Sequence, residues 1–345
     1  MADIVLITEA SGYTGSHIVE HLLKAGYRVR GTVKPGRVSA LRMAYLEYQD
    51  RFEAVGVTDL EHDDLTDIFR GVSTLVVASL PPVRGRTTEE ARSTVESASS
   101  GTKHLLAYAQ AASVKKIVYT GSFQNAFHPS DSWNPITITE DDWNPQTEDD
   151  CNKLGLHPWC LHTAASVIAE RELWKFADVQ PGSRLLPGFT FGPYGRGQAI
   201  DQHRSGTFAW ISELLHGRPG RPMRPNAPPF SPNYVHVADV ARAHVAALRV
   251  GPLDRPRRRK RVLLVAGYVL WPEVVAHLSE AMPEIRERLP SLAGGPGPRQ
   301  VSSFARFETR NAREILGIEE YKGWKEAVED AVKDVLRVES RMTDL

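Results

Sequence analysis

The chain has 345 residues, and its 42 acidic and 42 basic side chains give a formal net charge of zero. The hydrophobic content of 41% excludes a disordered chain, and the length suits one large α/β domain with a smaller lobe. The balanced charge argues against a nucleic-acid-binding surface spread over the whole protein. No apolar run approaches ~20 residues, so we predict no membrane span.

The amino terminus and the cysteine content indicate where the protein resides. No charged segment followed by an apolar one precedes the first predicted strand, which argues against a secretory signal peptide. Two cysteines, Cys151 and Cys160, are too few for a disulfide framework and suit a reducing compartment. We therefore expect a cytoplasmic protein.

Strands and helices are predicted to alternate through the first half of the chain. Short apolar runs predict buried parallel strands, and apolar residues three or four apart predict helices. The predicted strands are residues 4–7, 27–33, 52–57, 74–78, 116–120 and 182–186. The predicted helices among them are residues 17–25, 63–69 and 95–112. This alternation predicts a doubly wound parallel α/β sheet of the Rossmann type.

The second half of the chain is less regular. Residues 217–232 and 289–298 are rich in proline and glycine, which excludes regular helix and central strand there. A strand at 262–266 and helices at 311–316 and 324–336 are predicted. We expect two units. Residues 1–188, with 233–266 returning to them, form a dinucleotide-binding-type domain, and residues 189–232 and 267–345 form a smaller substrate lobe.

The basic run near residue 258 and the spacing of the histidines and cysteines both have ordinary interpretations. The basic run at residues 255–261 (RPRRRKR) lies between a predicted helix and a strand and is expected to be a solvated loop. A nuclear-import or nucleic-acid-binding patch is the alternative interpretation. The twelve histidines and two cysteines show no spacing typical of a metal site, so we predict no metal.

A glycine-rich loop follows the first strand. The candidate phosphate-binding residues are Ser11, Gly12, Tyr13, Thr14 and Gly15. Glycines in such a loop let the backbone turn tightly and let a pyrophosphate approach the amino terminus of the next helix. The loop follows a strand and opens a helix, which is the context that gives the motif weight.

Glu9 replaces the first glycine that such a loop would have. A carboxylate ~5 Å from a phosphate charge, at an effective dielectric constant near ~20, would be repelled by ~3 kcal/mol. That repulsion is worth about a hundredfold in affinity. Alternatively, Glu9 turns to solvent and costs little. Under the first interpretation dinucleotide binding is weakened or lost. Under the second it is retained.

Seven segments, in order over nearly the whole chain, carry a family resemblance. They are ASGYTGSHIVEHLLKAGYRVRGTVK, GTKHLLAYAQAASVKKIVYTGS, ITEDDWNP, AERELWKFA, LLPGFTFGPYG, YVHVADVARAHVAAL and LGIEEYKGWKEAVEDAVKDVL. Together they resemble the extended short-chain dehydrogenases, in the group of dihydroflavonol reductase, cinnamoyl-CoA reductase and yeast-type aldehyde reductase. The resemblance implies NADP(H) as the cofactor. It places Lys34 at the 2′-phosphate, and the other matching cofactor positions are Asp59, Leu60, Ala78, Ser79, Pro187 and Gly188.

In that family a Ser, a Tyr and a Lys act together. The Tyr exchanges a proton while hydride moves, the Lys holds the ribose and lowers the pKa of the Tyr, and the Ser steadies the carbonyl. Ser122, in VYTGS, matches the Ser. Counting back from AERELWKFA, the Tyr position holds His162 and the Lys position holds Ser166.

These replacements indicate that the ancestral hydride transfer has been abandoned, because a lost general acid alone costs typically ~10²–10⁴-fold in rate. His162 can still move protons near neutrality, since its unperturbed pKa is ~6.5. Alternatively, it only fills the space of the Tyr. We expect non-redox proton-transfer chemistry on a small carbonyl or phenolic metabolite, such as isomerisation, cyclisation, aldol-type chemistry or elimination, with Ser122 holding an oxygen. Two alternatives are an NADPH-dependent carbonyl reductase that uses His162, and a non-catalytic NADP(H)-sensing or regulatory protein.

Overall fold

The structure is a computed structural model that describes residues 3–78, 88–147, 150, 158–177, 182–200, 207–223, 231–251, 260–292 and 303–343. Its strands are β1 (Ile4–Ile7), β2 (Arg28–Val33), β3 (Phe52–Gly56), β4 (Val72–Val77), β5 (Lys116–Thr120), β6 (Thr137–Ile138), β7 (Gly182–Pro187), β8 (Thr190–Phe191), β9 (Asn233–His236), β10 (Arg261–Leu264), β11 (Gly267–Tyr268) and β12 (Arg306–Phe307). Its helices are α1 (Tyr13–Lys24), α2 (Val38–Ala44), α3 (Thr66–Phe69), α4 (Thr88–Ala111), α5 (Pro158–Ala177), α6 (Phe208–Leu215), α7 (Val237–Arg249), α8 (Trp271–Ala281), α9 (Arg310–Leu316) and α10 (Trp324–Thr343).

Seven parallel strands form the central sheet, in the order β10-β7-β5-β4-β1-β2-β3. The chain runs outward from β1 to β2 and β3 and then crosses back to pair β4 with β1. The predicted doubly wound Rossmann-type sheet is therefore confirmed. In such sheets ligands bind at the carboxyl ends of the strands, beside the point where the strand order reverses.

The apolar runs locate the strands well and the helix ends less well. β1 and β5 have the predicted bounds. Helix α1 begins at Tyr13 and not at His17, because the glycine-rich loop leads directly into its first turn. Helix α10 continues to Thr343, beyond the predicted end at Leu336.

Helices cover both faces of the sheet. Apolar residues of α1, α7 and α9 pack on one face, and residues of α4 and α5 pack on the other. A third apolar cluster joins α6, α8 and α10 to aromatic residues near the carboxyl end of β7. Within the described ranges, no helix is both long enough and apolar enough to cross a bilayer.

The last residue of the basic run corrects a prediction. Residues 255–261 were expected to form a solvated loop, but Arg261 is the first residue of β10 and its side chain is fully buried. Lys260 is also buried, and its ammonium donates to the backbone oxygen of Gly251. Residues 255–259 lie outside the described residues. A charged run therefore extends into the central sheet, because the guanidinium of its last residue has a buried partner.

That partner is Glu170 on α5, and the pair ties several elements together. The Arg261 guanidinium donates to both carboxylate oxygens of Glu170, from Nε at 2.7 Å and from Nη2 at 3.1 Å. It also lies 4.1 Å from the centroid of the Trp143 ring. Its other acceptors are the backbone oxygens of Asn125, Glu140 and Asp142. The pair thus joins β10, α5, the turn after β5 and the segment after β6.

We predict that Arg261→Met destabilises the fold by about 3–5 kcal/mol, because it leaves the Glu170 carboxylate buried without its partner. Lys333→Met removes an exposed pair with Glu329 on α10 and should cost no more than about 1 kcal/mol. Urea unfolding of both variants measures the difference. Equal losses for the two would show that the buried pair contributes no more than a surface one.

Candidate active site

The turn between β1 and α1 holds Glu9 in a left-handed backbone conformation. Its φ is +52°, a region that glycine adopts freely and other residues adopt rarely. The Glu9 carbonyl oxygen accepts the N–H of Gly12 at 2.9 Å, and the Glu9 N–H lies 3.3 Å from the hydroxyl oxygen of Thr32. Position 9 is therefore one at which glycine would be unstrained.

Gly15 lets the first turn of α1 approach this loop closely. A Cβ atom at Gly15 would lie 2.1 Å from the Glu9 carbonyl oxygen, so a larger residue would force the two segments apart. The N-cap of α1 is Gly12, whose position offers no side-chain cap, and the first turn holds no acidic residue. The first N–H groups of α1 can therefore bind an anion. The residues that would surround it fit the pyrophosphate of a dinucleotide: Ser11, Gly12, Tyr13, Thr14 and Gly15.

The Glu9 carboxyl group is the one feature of the loop that does not suit a phosphate. Its side chain is partly buried, which does not fit the interpretation that it turns freely to solvent. Burial raises the pKa of Glu9, and the positive charge of Lys34 partly opposes that rise. Lys34 follows β2, is exposed, and donates from Nζ to the backbone oxygen of Thr58 at 2.7 Å.

Two of the predicted cofactor residues, Asp59 and Leu60, follow β3. Asp59 is exposed, and a hydrogen bond of 2.9 Å from His62 lowers the pKa of its carboxyl group. Leu60 packs against the core under β4. Asp59, Glu61 and His62 bring potential metal-ligand atoms within 4.8 Å of one another at the surface, which the histidine spacing did not predict.

Three more predicted residues follow strands of the central sheet. Ala78 follows β4, is buried, and donates its N–H to the Thr8 hydroxyl at 3.1 Å. Pro187 ends β7 opposite Leu264 of β10. Gly188 comes next, and a Cβ atom there would lie 2.3 Å from Asn233 Oδ1. Ser79 lies outside the described residues.

Ser122 follows β5 and caps the short 3₁₀ helix Phe123–Ala126. Its Oγ accepts the N–H of Gln124 at 3.3 Å, which leaves the hydroxyl hydrogen available to another acceptor. The Thr163 hydroxyl on α5 donates to Gln124 Oε1 at 3.0 Å. This bond holds the Ser122 turn beside the part of α5 that contains His162.

His162 is half-buried, whereas Leu161 and Thr163 beside it are fully buried. Burial lowers the pKa of His162, so the imidazole is mainly neutral at pH 7. Among the described residues, no carboxylate forms an ion pair with it. Asp142 and Asp150, which lie near it in the sequence, accept hydrogen bonds from Thr139 and Thr147 in their own turns.

Comparison with known proteins supports the resemblance in the motifs. A sequence profile described as the NAD dependent epimerase/dehydratase family matches residues 5–257. The chain belongs to this family. The resemblance to the extended short-chain dehydrogenases is thereby confirmed.

Similar proteins extend over almost the full chain. Aldehyde reductase 2 of Sporidiobolus salmonicolor is 28% identical over 355 residues, which cover 98% of this chain and 96% of that protein. Ketoreductase adrE of Penicillium roqueforti is 30% identical over 305 residues, which cover 83% and 82% of the two chains. The crystal structure of the yeast methylglyoxal/isovaleraldehyde reductase Gre2, complexed with NADPH, matches with a TM-score of 0.81 at 22% identity, covering 98% of this chain and 99% of that one. This last likeness shows the fold.

At the family's Lys position the structure places a buried side chain. Ser166 is 2% exposed, and its Oγ lies 3.3 Å from the hydroxyl oxygen of Tyr119 on β5. Its backbone oxygen accepts from Tyr119 at 3.2 Å and from Asn125 Nδ2 at 3.3 Å. Ser166 therefore contacts the interior of the protein, and its one-turn spacing from His162 does not bring its hydroxyl to an open cleft.

The sequence did not single out the polar residues that support this region. Gln124 and Asn125 are both buried beside Ser122, and Asn125 Nδ2 donates to Glu170 Oε2 at 2.9 Å. Gln124 Nε2 is buried and forms no hydrogen bond within the part of the chain that the structure describes. The two amides at the second and third positions after Ser122 were the available signal, but nothing in the sequence shows that both side chains turn inward.

We predict that Glu9→Gly is more stable than Glu9→Ala by about 1 kcal/mol, because only glycine is unstrained at this positive φ. Both variants remove the carboxylate, so the difference in their stability reports only the backbone strain at position 9. Urea unfolding in the absence of nucleotide measures it. Equal stabilities would mean that the left-handed turn at position 9 carries no strain.

Proposed function

We propose that the protein is an NADP(H)-dependent carbonyl reductase in which His162 supplies the proton that a Tyr supplies in the family. Its substrate would be a small aldehyde or ketone bound between the sheet and the carboxyl-terminal lobe. Reductases among the similar proteins support this alternative over the non-redox chemistry that the replaced residues suggest. The two cysteines favour a cytoplasmic location.

The observation that carries the proposal is the close packing of the phosphate loop. Gly15 touches the Glu9 carbonyl, and the start of α1 is open to an anion. Chemistry without a nucleotide would not need either feature. Lys34, which is exposed and follows β2, would bind a 2′-phosphate in this proposal.

When bound, a reduced nicotinamide supplies hydride to the carbonyl carbon of the substrate. The Ser122 hydroxyl, already accepting from Gln124, donates to the carbonyl oxygen as negative charge develops there. His162 in its imidazolium form then gives a proton to that oxygen and becomes neutral. The bond from Thr163 to Gln124 holds the part of α5 that contains His162 against the turn that contains Ser122.

This role gives a definite pH dependence. Burial lowers the pKa of His162, so its acidic form becomes scarcer as the pH rises through and above that pKa. The value of kcat for reduction at saturating NADPH should therefore fall by up to about tenfold per pH unit between pH 6.5 and 8.5. In the His162→Tyr variant the acid has a pKa near ~10, so this fall in kcat between pH 6.5 and 8.5 should be absent.

His162→Phe tests the assignment, because it keeps the shape of the pocket and removes the proton donor. We expect kcat with methylglyoxal or a simple aldehyde to fall by about 10²–10⁴-fold, with a much smaller change in KM. NADPH absorbance at saturating substrate measures this. His128→Phe, which alters a histidine in the loop after Ser122, serves as the control. Full activity and a flat pH profile in the His162→Phe variant would place the acid elsewhere.

A second candidate is non-redox proton transfer, which the buried position of Ser166 favours. With its hydroxyl bonded to Tyr119, no side chain at the Lys position reaches a ribose. This candidate predicts that the protein exchanges hydrogen for deuterium at the carbon next to a ketone without any nucleotide. Proton NMR in D₂O measures the exchange, and its loss in His162→Phe would support this function over reduction.

A further inference from the structure

Glu9 is held rigidly at the place where phosphate charge would gather. Its carbonyl oxygen is fixed by Gly12 and by contact with Gly15, and the N–H of Ala10 donates to the backbone oxygen of Thr32 at 2.9 Å. The backbone at position 9 therefore cannot swing away without disrupting both β2 and α1. Repulsion between Glu9 and a phosphate can therefore be reduced only by a change in the carboxyl group itself, and not by a movement of the backbone.

Few charges surround this carboxyl group. Lys34, on the turn after β2, is the charged group that acts on it among the described residues. The first turn of α1 holds no acidic side chain, and β2 contributes the neutral Thr32. In the next turn of α1, His17 bonds to the Pro193 carbonyl, and burial lowers its pKa to about 4, so it is neutral at pH 7.

Partial burial already disfavours the charged form of Glu9 and raises its pKa. A bound pyrophosphate would add negative charge to the same space and raise that pKa further. A neutral carboxylic acid differs from a carboxylate in one respect that matters here, because its O–H can donate a hydrogen bond to a phosphate oxygen. Protonation would thus convert a repulsive contact into an attractive one.

We propose that Glu9 takes up one proton from solvent when a dinucleotide binds, and that the resulting carboxylic acid donates a hydrogen bond to a pyrophosphate oxygen. The proposal rests on the proposed function, since it assumes that the loop binds a dinucleotide. It makes affinity depend on pH. Between the pKa of Glu9 in the free protein and its higher pKa in the complex, Kd should rise by up to about tenfold per pH unit.

Isothermal titration calorimetry of the full chain measures both quantities. The titrant is NADH, which lacks the 2′-phosphate and so adds no titration of its own near neutral pH. Titrations at pH 6, 7 and 8, in two buffers of different ionisation enthalpy, give Kd and the number of protons taken up. We expect an uptake approaching one proton and a Kd that rises with pH.

Two matched variants complete the design. Glu9→Gln keeps the shape and the hydrogen-bonding capacity but cannot take up a proton, so its uptake should be close to zero and its Kd independent of pH. Glu319→Gln removes an exposed carboxylate far along the chain and should behave as the unmodified protein.

The outcomes separate the two proposals. Binding without proton uptake, at a Kd independent of pH, overturns the proton coupling and leaves the reductase proposal standing. If the Glu9→Gln variant binds NADH and the unmodified protein does not, the coupling is also overturned, because Glu9 would then only block the loop. No binding by any variant, with NADH or with NADPH, overturns the cofactor assignment and the coupling with it.

Discussion

The candidate active-site region depends on the buried charge pair between Arg261 and Glu170. Both side chains are fully excluded from solvent, so each charge is tolerable only because the other is present. Around the pair, the guanidinium fixes three backbone oxygens, and the carboxylate also accepts from Asn125 and from the indole of Trp174. These contacts set the position of α5 against the turn that follows β5. Ser122 lies on that turn and His162 on that helix, so their relative placement follows from the pair.

A second buried arginine, Arg184, also interacts with Glu170 of α5. Arg184 of β7 donates to the backbone oxygen of Leu173 at 2.5 Å, and its guanidinium lies 4.2 Å from the ring centroid of Trp174. Burial lowers the pKa of Arg184 to about 10, and the charge of Glu170 opposes this. One glutamate of α5 therefore lies in the field of two buried cations, which the neighbouring strands β7 and β10 carry.

The sequence was enough to predict the sheet, because β1 and β5 are short apolar runs whose bounds need no tertiary information. It could not predict that Arg261 enters the sheet, since a run of charges hides the strand pattern and the partner of Arg261 is 91 residues away. At the candidate site, the family register placed Ser122 and His162 on segments that the structure brings together. Glu9 was recognised as out of place in its loop, but its positive φ and its partial burial are properties of the folded backbone. The inward position of Ser166 depends on Tyr119, a contact between a strand and a helix that no local pattern encodes.

The contact between Tyr119 and Ser166 also limits which side chains position 166 can accommodate. A lysine at position 166 would need the volume and the hydrogen bonds of the buried Tyr119 phenol, which interacts electrostatically with Arg184 and lies away from water. Its ammonium would be desolvated beside an existing cation, so Ser166→Lys alone should destabilise the fold. The phenol of Tyr119 would have to shrink first, a change with no benefit of its own. Position 166 is therefore closed to a lysine by its packing, and a change of chemistry is structurally easier at the half-buried His162 than at the buried Ser166.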